Sequence, residues 1–356
     1  MIKVSVIVPS YNQNEWLKKS IESILMQKVD FEFEIVVIDD HSTDGSVEFL
    51  KQYQNKFPEL FKVIYHNENY FALKKYSEMF REFMESCSGE YIAFCEGDDY
   101  WTDEYKLQKQ VNLLDSDYSL SGCFHKSKRI NVYTGEFVGY MPSSDLNKTE
   151  FTIYDTLNNY FIETVSVMYR LRKYKDELLQ IYPTGIVNTD TFLIYFFSIK
   201  GKIKYINEVM SVKTINNQGI WNSLKQCADQ RNVRFYKEII NFPCAVNQMI
   251  HYYGLSEELY CDIGSSYESV LNSCLSLNRR DLVAEIIKKY PNLYGDCLRR
   301  EICKRLQPVI AENDRKIEKL SNEFLILNNI KKKNEKFIIS ILILNLLVLF
   351  FLFVIR

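Results

Sequence analysis

The chain opens on short, near-continuous apolar runs separated by stretches of helical period. Val4-Ser5-Val6-Ile7-Val8, Ile35-Val36-Val37-Ile38 and Tyr91-Ile92-Ala93-Phe94-Cys95 are β-prone and lack an alternating polar face. That is the pattern of strands buried on both faces, as in a parallel sheet. Between them, residues 14–27 place Trp16, Ile21, Ile24 and Leu25 on one side of a helix. The pattern predicts strands at 3–9, 33–38, 61–65 and 90–95, with helices at 14–27, near 45–55 and at 72–87. Strands alternating with helices imply βαβ units and a largely parallel sheet.

From 104 to 222 the pattern is mixed. It predicts a helix over 105–114, a strand over 121–125, and a hairpin of 129–133 with 136–140 across Thr134-Gly135. A helix over 186–199 has Asn188 or Thr189 as a suitable cap, and a strand follows over 202–212. Residues 223–309 are helix-like without a repeat. Ile310, Ile317, Leu320, Phe324 and Leu327 then follow an a/d heptad pattern. A short coiled-coil stalk that pairs two copies, or one amphipathic helix, fits equally.

Residues 337–355 are apolar except for Ser340 and Asn345. As a helix they would span roughly 28 Å, the depth of a bilayer core. Lys331, Lys332, Lys333 and Lys336 precede them and would keep the chain before them cytoplasmic. No secretory signal is expected at the N-terminus. The length of 356 residues allows two domains, and a net charge of −2 speaks against a nucleic-acid binder. The nine cysteines form no CxxC pair, so reduced, packed thiols are expected rather than a disulfide frame or zinc site.

Two strands run into acids. Ile38 is followed by Asp39-Asp40, and Cys95 by Glu96-Gly97-Asp98-Asp99. Carboxylates are costly in a core, so they are expected just beyond the strands. Open α/β sheets bind ligands there. Clustered carboxylates at that place suit a divalent cation and the phosphates it carries.

In their order and spacing, Val4–Asn12, Val37–Ser46 and Glu96–Trp101 resemble a family 2 glycosyltransferase of the GT-A type, as used in bacterial polysaccharide assembly. Lys106-Leu107-Gln108-Lys109-Gln110-Val111 also follows that pattern. The resemblance covers roughly residues 1–222. It implies an α/β GT-A fold, a mostly parallel sheet flanked by helices. The domains expected are 1–222 for the transferase, 223–309 for a helical appendage, 310–336 for the stalk and 337–355 for a transmembrane helix.

By that resemblance Asp40 binds the uracil of a UDP-sugar. Uracil offers an N3–H donor, and a carboxylate only accepts. Pro9 and Tyr11 would flank the base. Alone, Asp39-Asp40-His41-Ser42 also reads as turn chemistry. Asp99 would hold Mn²⁺ or Mg²⁺, with Asp98 on ribose or metal. Asp190, where relatives often carry Gly-Asp-Trp, would be the catalytic base of an inverting transfer; it also suits the first turn of any helix.

One stretch departs from the family. Where relatives often carry Tyr-Arg-x-His-x-x-Gly, this chain has Lys213-Thr214-Ile215-Asn216-Asn217-Gln218-Gly219, then Ile220-Trp221. Lys213 is expected to supply the missing cation. Lys213, Trp221 and Glu96 are candidate contacts to diphosphate or acceptor, and Glu163 or Arg170 to acceptor. Lys74 or Lys75 is the nearest basic position in the family-like stretch after His66.

The expectation is therefore a membrane-held inverting transferase facing the cytoplasm, in a bacterial inner or plasma membrane. It would move sugar from a UDP-sugar to a glycan or lipid-linked acceptor in cell-surface polysaccharide synthesis. The alternatives are an inactive transferase-like scaffold, raised by Thr214 and Asn216, and a nucleotidyltransferase. The latter usually carries a Gly- and Arg-rich first loop, which Pro9–Asn14 lacks.

Overall fold

The structure is a computed structural model that describes residues 1–157, 161–186, 188–215, 232–256 and 259. The chain divides into two compact units, Met1–Cys227 with Asn241–Cys261, and Ala228–Ile240 with Asp262–Arg356. Everything below belongs to the first, except the opening residues of the last helix, 232–240, which fall in the second. Asn216, Trp221, the heptad stretch 310–336 and the apolar run 337–355 lie outside the described residues, as does most of 223–309. Among the described residues no helix is long and apolar enough to cross a membrane.

The first half follows the expected alternation: β1 (Val4–Ser10), α1 (Asn14–Leu25), β2 (Phe33–Asp39), α2 (Ser46–Lys56), β3 (Phe61–Tyr65), α3 (Tyr76–Ser86) and β4 (Tyr91–Phe94). Then come β5 (Tyr100–Trp101), α4 (Lys106–Ser116), β6 (Leu120–Asn131), β7 (Phe137–Met141), β8 (Glu150–Phe151) and α5 (Ile153–Thr156). The last described elements are β9 (Met168–Tyr169), α6 (Leu171–Ile181), α7 (Thr189–Lys200), β10 (Lys202–Ile215) and α8 (Asn232–Tyr252).

The strands form one sheet in the order β3-β2-β1-β4-β9-β6-β10-β5, with β7 on β6 and β8 on β10. β1 to β4 are parallel where they pair, and β6 runs parallel to β10. The sheet is mixed rather than mostly parallel. β9 runs antiparallel between β4 and β6, and β5, β7 and β8 are also antiparallel to their neighbours. The physical reason is the short connections: the β6–β7 hairpin turns within a few residues, which only antiparallel strands allow. The expected strand at 121–125 is a 12-residue β6, because β10 pairs along all of it and β7 joins its far half.

Both faces of the first strands are covered, which is why they read as continuous apolar runs. Val4, Val6, Val8, Ile35, Val37, Tyr91 and Ala93 pack with Leu17, Ile21 and Ile24 of α1 and Leu107, Val111 and Leu114 of α4. The alternate residues Ile7, Val36, Ile38, Ile92 and Phe94 pack on the other side with Phe80, Phe83 and Met84 of α3 and Phe192, Phe196 and Phe197 of α7. Val246, Met249 and Ile250 of α8 and the nearby Leu259 join that second cluster. Each fully buried aliphatic side chain contributes roughly 1.5–3 kcal/mol, so the strand ends are held by two layers of packing.

Asp44 ties the first two helices together. Its carboxylate accepts the Asn14 N–H at 2.9 Å and the Ser46 N–H at 3.0 Å, serving the N-termini of both α1 and α2. Gly45, which precedes α2, has φ +96°. A Cβ is strained in that conformation.

Candidate active site

β1 and β2 end side by side, with Ser10 opposite Asp39 and the Asp40 N–H donating to Ser10 O at 2.9 Å. Asp39 is the last residue of its strand and, like Asp40, is buried. Asp40 thus lies just beyond the strand, as expected, yet both acids are shielded from water. Protein donors replace the water they lose. Asp39 accepts the N–H of Ser42 at 2.9 Å and its hydroxyl at 2.5 Å, so it builds the turn. Asp40 reaches further. Its Oδ1 accepts the Tyr70 N–H at 2.7 Å and faces His66 Nδ1 at 2.8 Å, and its Oδ2 accepts the Phe71 N–H at 2.9 Å. A carboxylate offers about four lone-pair sites, so room remains at Oδ2 for one more donor.

His66 is sandwiched between acids. Its Nε2 meets Glu82 Oε2 of α3 at 2.7 Å, and its ring stacks on Tyr70 at 3.8 Å. Tyr11, just after β1, is half exposed. Pro9 lies within β1, paired with Ile38, and its carbonyl accepts the Gly97 N–H at 3.2 Å. It therefore links the two acidic strand ends. Lys75 pairs with Glu68 and lies over the Tyr70 ring, and Lys74 takes a left-handed φ of 64°.

At the end of β4, the carboxylate oxygens of Glu96, Asp98 and Asp99 all lie within 4.8 Å of one another. β10 brings Lys213 and Thr214 to them. Asp99 Oδ1 accepts the Thr214 N–H at 2.8 Å, and the Thr214 hydroxyl donates to Asp98 O at 2.7 Å. The Lys213 ammonium pairs with Glu96 and lies 3.0 Å from Asp99 Oδ2.

Burial pushes the Asp99 carboxyl well above the usual range; Lys213 opposes this, while Asp98 and Glu96 reinforce it. Burial also acts on Glu96, but there Lys213 wins and the group is held below its ordinary value. Burial works against the charge on Lys213, and the three acids more than restore it. Fully ionised, these acids and one ammonium leave two negative charges in a hard oxygen donor set, which suits Mg²⁺ or Mn²⁺. The ammonium among them shows that a cation fits.

Asp190 sits in the first turn of α7. It shares a small recess with Phe94 at the end of β4 and with Thr164, Val167, Tyr169, Leu193 and Ile194. The Thr191 N–H donates to its Oδ1 at 2.7 Å, and the Thr164 hydroxyl lies 3.4 Å from Oδ2. Burial raises its carboxyl above the ordinary range; the Thr191 N–H lowers it, Glu96 raises it and Lys213 lowers it. The two charged groups of the β4 site thus lie within electrostatic reach of Asp190. A carboxylate with a raised pKa is a stronger base.

Arg170 stands elsewhere. It is buried at the opposite end of the sheet, donating to Leu120 O at 3.2 Å, Leu114 O at 2.6 Å and the Tyr91 hydroxyl at 3.0 Å. It fastens α4 to the strand starts and lies 3.5 Å from Glu90, the pairing with an acid that is the alternative to an acceptor contact. Glu163 is buried 3.2 Å from Arg129 Nε, and Arg129 pairs with Lys213 across β6 and β10. Sequence reasoning missed two supports of the site. Thr214 read as a lost arginine, although a hydroxyl and an N–H beside two aspartates are donors they can use. His66 lay in a quoted stretch, but nothing in the chain order pointed it at Asp40. Among the described residues, Cys87, Cys95 and Cys123 are buried free thiols.

A two-faced α/β sheet with acids at the ends of β2 and β4 and an aspartate on the helix beside them is the architecture of a GT-A glycosyltransferase. The chain belongs to glycosyl transferase family 2, whose model matches residues 5–199. It is 31% identical over 220 residues to an uncharacterized protein of Mycobacterium tuberculosis (strain ATCC 25618 / H37Rv). The match covers 62% of this chain and 61% of that one, so the chain spans less than two thirds of that relative's length. It is 33% identical over 122 residues to the poly(ribitol-phosphate) beta-N-acetylglucosaminyltransferase TarS of Staphylococcus aureus (strain Mu50 / ATCC 700699), over 33% of this chain and 20% of TarS. The crystal structure of S. aureus TarS 1-349 in complex with UDP-GlcNAc superposes with a TM-score of 0.53 at 24% identity, covering 83% of this chain and 80% of that one. At that identity the likeness is one of fold.

Proposed function

We propose that the protein is an inverting glycosyltransferase that moves a sugar from a UDP-sugar to a glycan or lipid-linked acceptor. The observation that carries this reading is the gathering of Asp190 with the strand-end acids. Phe94 leads into Glu96, Asp98 and Asp99 and also lines the recess of Asp190. Asp40 and Tyr11 stand at the neighbouring strand ends, linked to the β4 end through Pro9.

In this reading Asp40 Oδ2 accepts the uracil N3–H and Tyr11 stacks on the ring. Glu96, Asp98 and Asp99 would hold Mn²⁺ or Mg²⁺, which when bound offsets the charge that gathers on the leaving diphosphate. Thr214 keeps Asp99 in place. Asp190 takes the proton of the acceptor hydroxyl as its oxygen attacks the anomeric carbon from the face opposite the diphosphate. Partial burial of Asp190 raises its pKa and makes it the stronger base. The apolar lining of its recess limits water that would compete as acceptor.

A role in cell-surface polysaccharide synthesis draws support from the name of TarS, and a lipid-linked acceptor from the apolar run 337–355. That run and the lysines before it make a bacterial plasma-membrane enzyme with its catalytic domain cytoplasmic the favoured location. An inactive scaffold is disfavoured because Thr214, one of the two substitutions that raised it, holds Asp99 in the site. Calorimetric titration of UDP with and without Mn²⁺ tests the reading. Manganese-dependent binding that Asp99→Ala weakens about a thousandfold is the expected result. Folded protein that ignores UDP under both conditions would sink it.

A further inference from the structure

We propose that Lys213 is an internal counter-cation: it occupies the metal position while the donor is absent and turns to the diphosphate when metal and nucleotide enter together. This rests on the metal and UDP reading above and adds a regulation of that site.

The geometry divides the two oxygens of Asp99 between partners of different mobility. Oδ1 is fixed by the Thr214 N–H at 2.8 Å, a backbone donor inside a paired strand. Oδ2 is held at 3.0 Å by the Lys213 ammonium. The same ammonium pairs with Glu96, so it engages two of the three clustered carboxylates. Thr214 cannot leave without breaking β10. Lys213 can, because only its four-carbon side chain needs to turn, and about a fifth of that side chain is already exposed. Its strand position is pinned opposite Arg129, so the ammonium stays within reach of the cluster after it turns.

A divalent ion arriving alone must compete with an ammonium that already engages Glu96 and Asp99. UDP changes that balance, because its diphosphate offers the displaced ammonium a new partner. Metal and nucleotide therefore each favour the other's binding. By reciprocity the coupling is the same in both directions. The consequence is a site that holds metal poorly until a nucleotide diphosphate is present.

The test is Mn²⁺ titration of the full-length chain, following the resonance of free Mn²⁺ by electron paramagnetic resonance, with and without saturating UDP. Wild type is expected to bind Mn²⁺ at least tenfold more tightly with UDP than without. Lys213→Met is expected to bind Mn²⁺ at least tenfold more tightly than wild type when UDP is absent, and to gain several-fold less from UDP than wild type does, once the Mn²⁺ that UDP chelates without protein is subtracted. Lys213→Gln, which keeps a hydrogen-bond donor beside Asp99 to support folding, is expected to do the same. Lys213→Arg keeps the charge and should stay as weak as wild type without UDP. Folded Lys213→Met and Lys213→Gln that bind Mn²⁺ no better than wild type without UDP, while wild type with UDP binds it well, would overturn the proposal alone. Wild type that binds no Mn²⁺ even with UDP would overturn the metal reading beneath it.

Discussion

The two acidic strand ends look alike in sequence and are built in opposite ways. At the end of β2, Asp40 is held by two backbone N–H groups and a histidine ring that Glu82 holds from α3. At the end of β4, Asp99 is held on one side by Thr214 and on the other by the end of a lysine side chain. The first arrangement is built from fixed donors and, in the proposed function, leaves one acceptor for one neutral donor. The second has an exchangeable cation. The difference teaches that a buried carboxylate's role depends on what satisfies it: fixed dipoles suit recognition of a base, whereas a movable charge suits a site that must bind and release an ionic diphosphate.

The sharpest way to break this contrast is through Asp190, which only the β4 end affects electrostatically. Asp190→Asn should cut turnover about a thousandfold and leave the UDP affinity measured by calorimetry within about twofold. Because burial raises its pKa, wild-type turnover should fall as pH drops through a value above the ordinary 3.8. A pH–rate profile flat through that region, or an unimpaired Asp190→Asn, would remove it from its role.

Asp40→Asn tests the rigid end. The amide cannot accept the same set of donors, and each buried N–H left without an acceptor costs about 1–3 kcal/mol. Denaturant melts should show that loss, and UDP affinity should fall by about tenfold or more. If stability falls while UDP binding stays intact, the base lies elsewhere.

A second buried lysine sharpens the comparison with Lys213. Lys106 is wholly buried with no acid within hydrogen-bonding reach, donating to Gln110 Oε1 at 2.7 Å beneath Trp101. Burial pushes its pKa down to about 7 from 10.5. The unfolded chain then binds the extra proton between those values, so stability should rise with pH across that window, by up to about 1.4 kcal/mol per pH unit. Lys106→Met should flatten that rise in melts taken at successive pH values. An unchanged slope would show that Lys106 stays charged, like Lys213. The smallest effect belongs to Tyr11→Ala, since loss of one stacking ring is worth about 1 kcal/mol. UDP affinity should weaken about fivefold, with or without metal.

Much of this was legible in the chain order. The first strands and helices fell within a few residues of their expected bounds, because double-sided burial writes itself as continuous apolar runs. The acids at the two strand ends follow from where those runs stop, whereas Asp190, at the start of α7, was singled out by the likeness to the family. The mixed direction of the sheet was not legible. β9 is two residues long, and its pairing with both β4 and β6 depends on contacts distant in sequence. Arg170 illustrates the same limit, since its sequence neighbours suggested an acceptor contact while its carbonyl partners come from α4 and the residues around it.

By itself, the sequence determined the alternation of strands and helices, the strand-end carboxylates and the likeness to family 2. These depend on local periodicity and on residues adjacent in the chain. The tertiary structure decided which donors satisfy each carboxylate. Tyr70, Phe71 and His66 close on Asp40 from about 30 residues away, and Lys213 and Thr214 reach Asp99 from 114 and 115. A buried charge must find its partners wherever the fold brings them, and no local pattern encodes that distance.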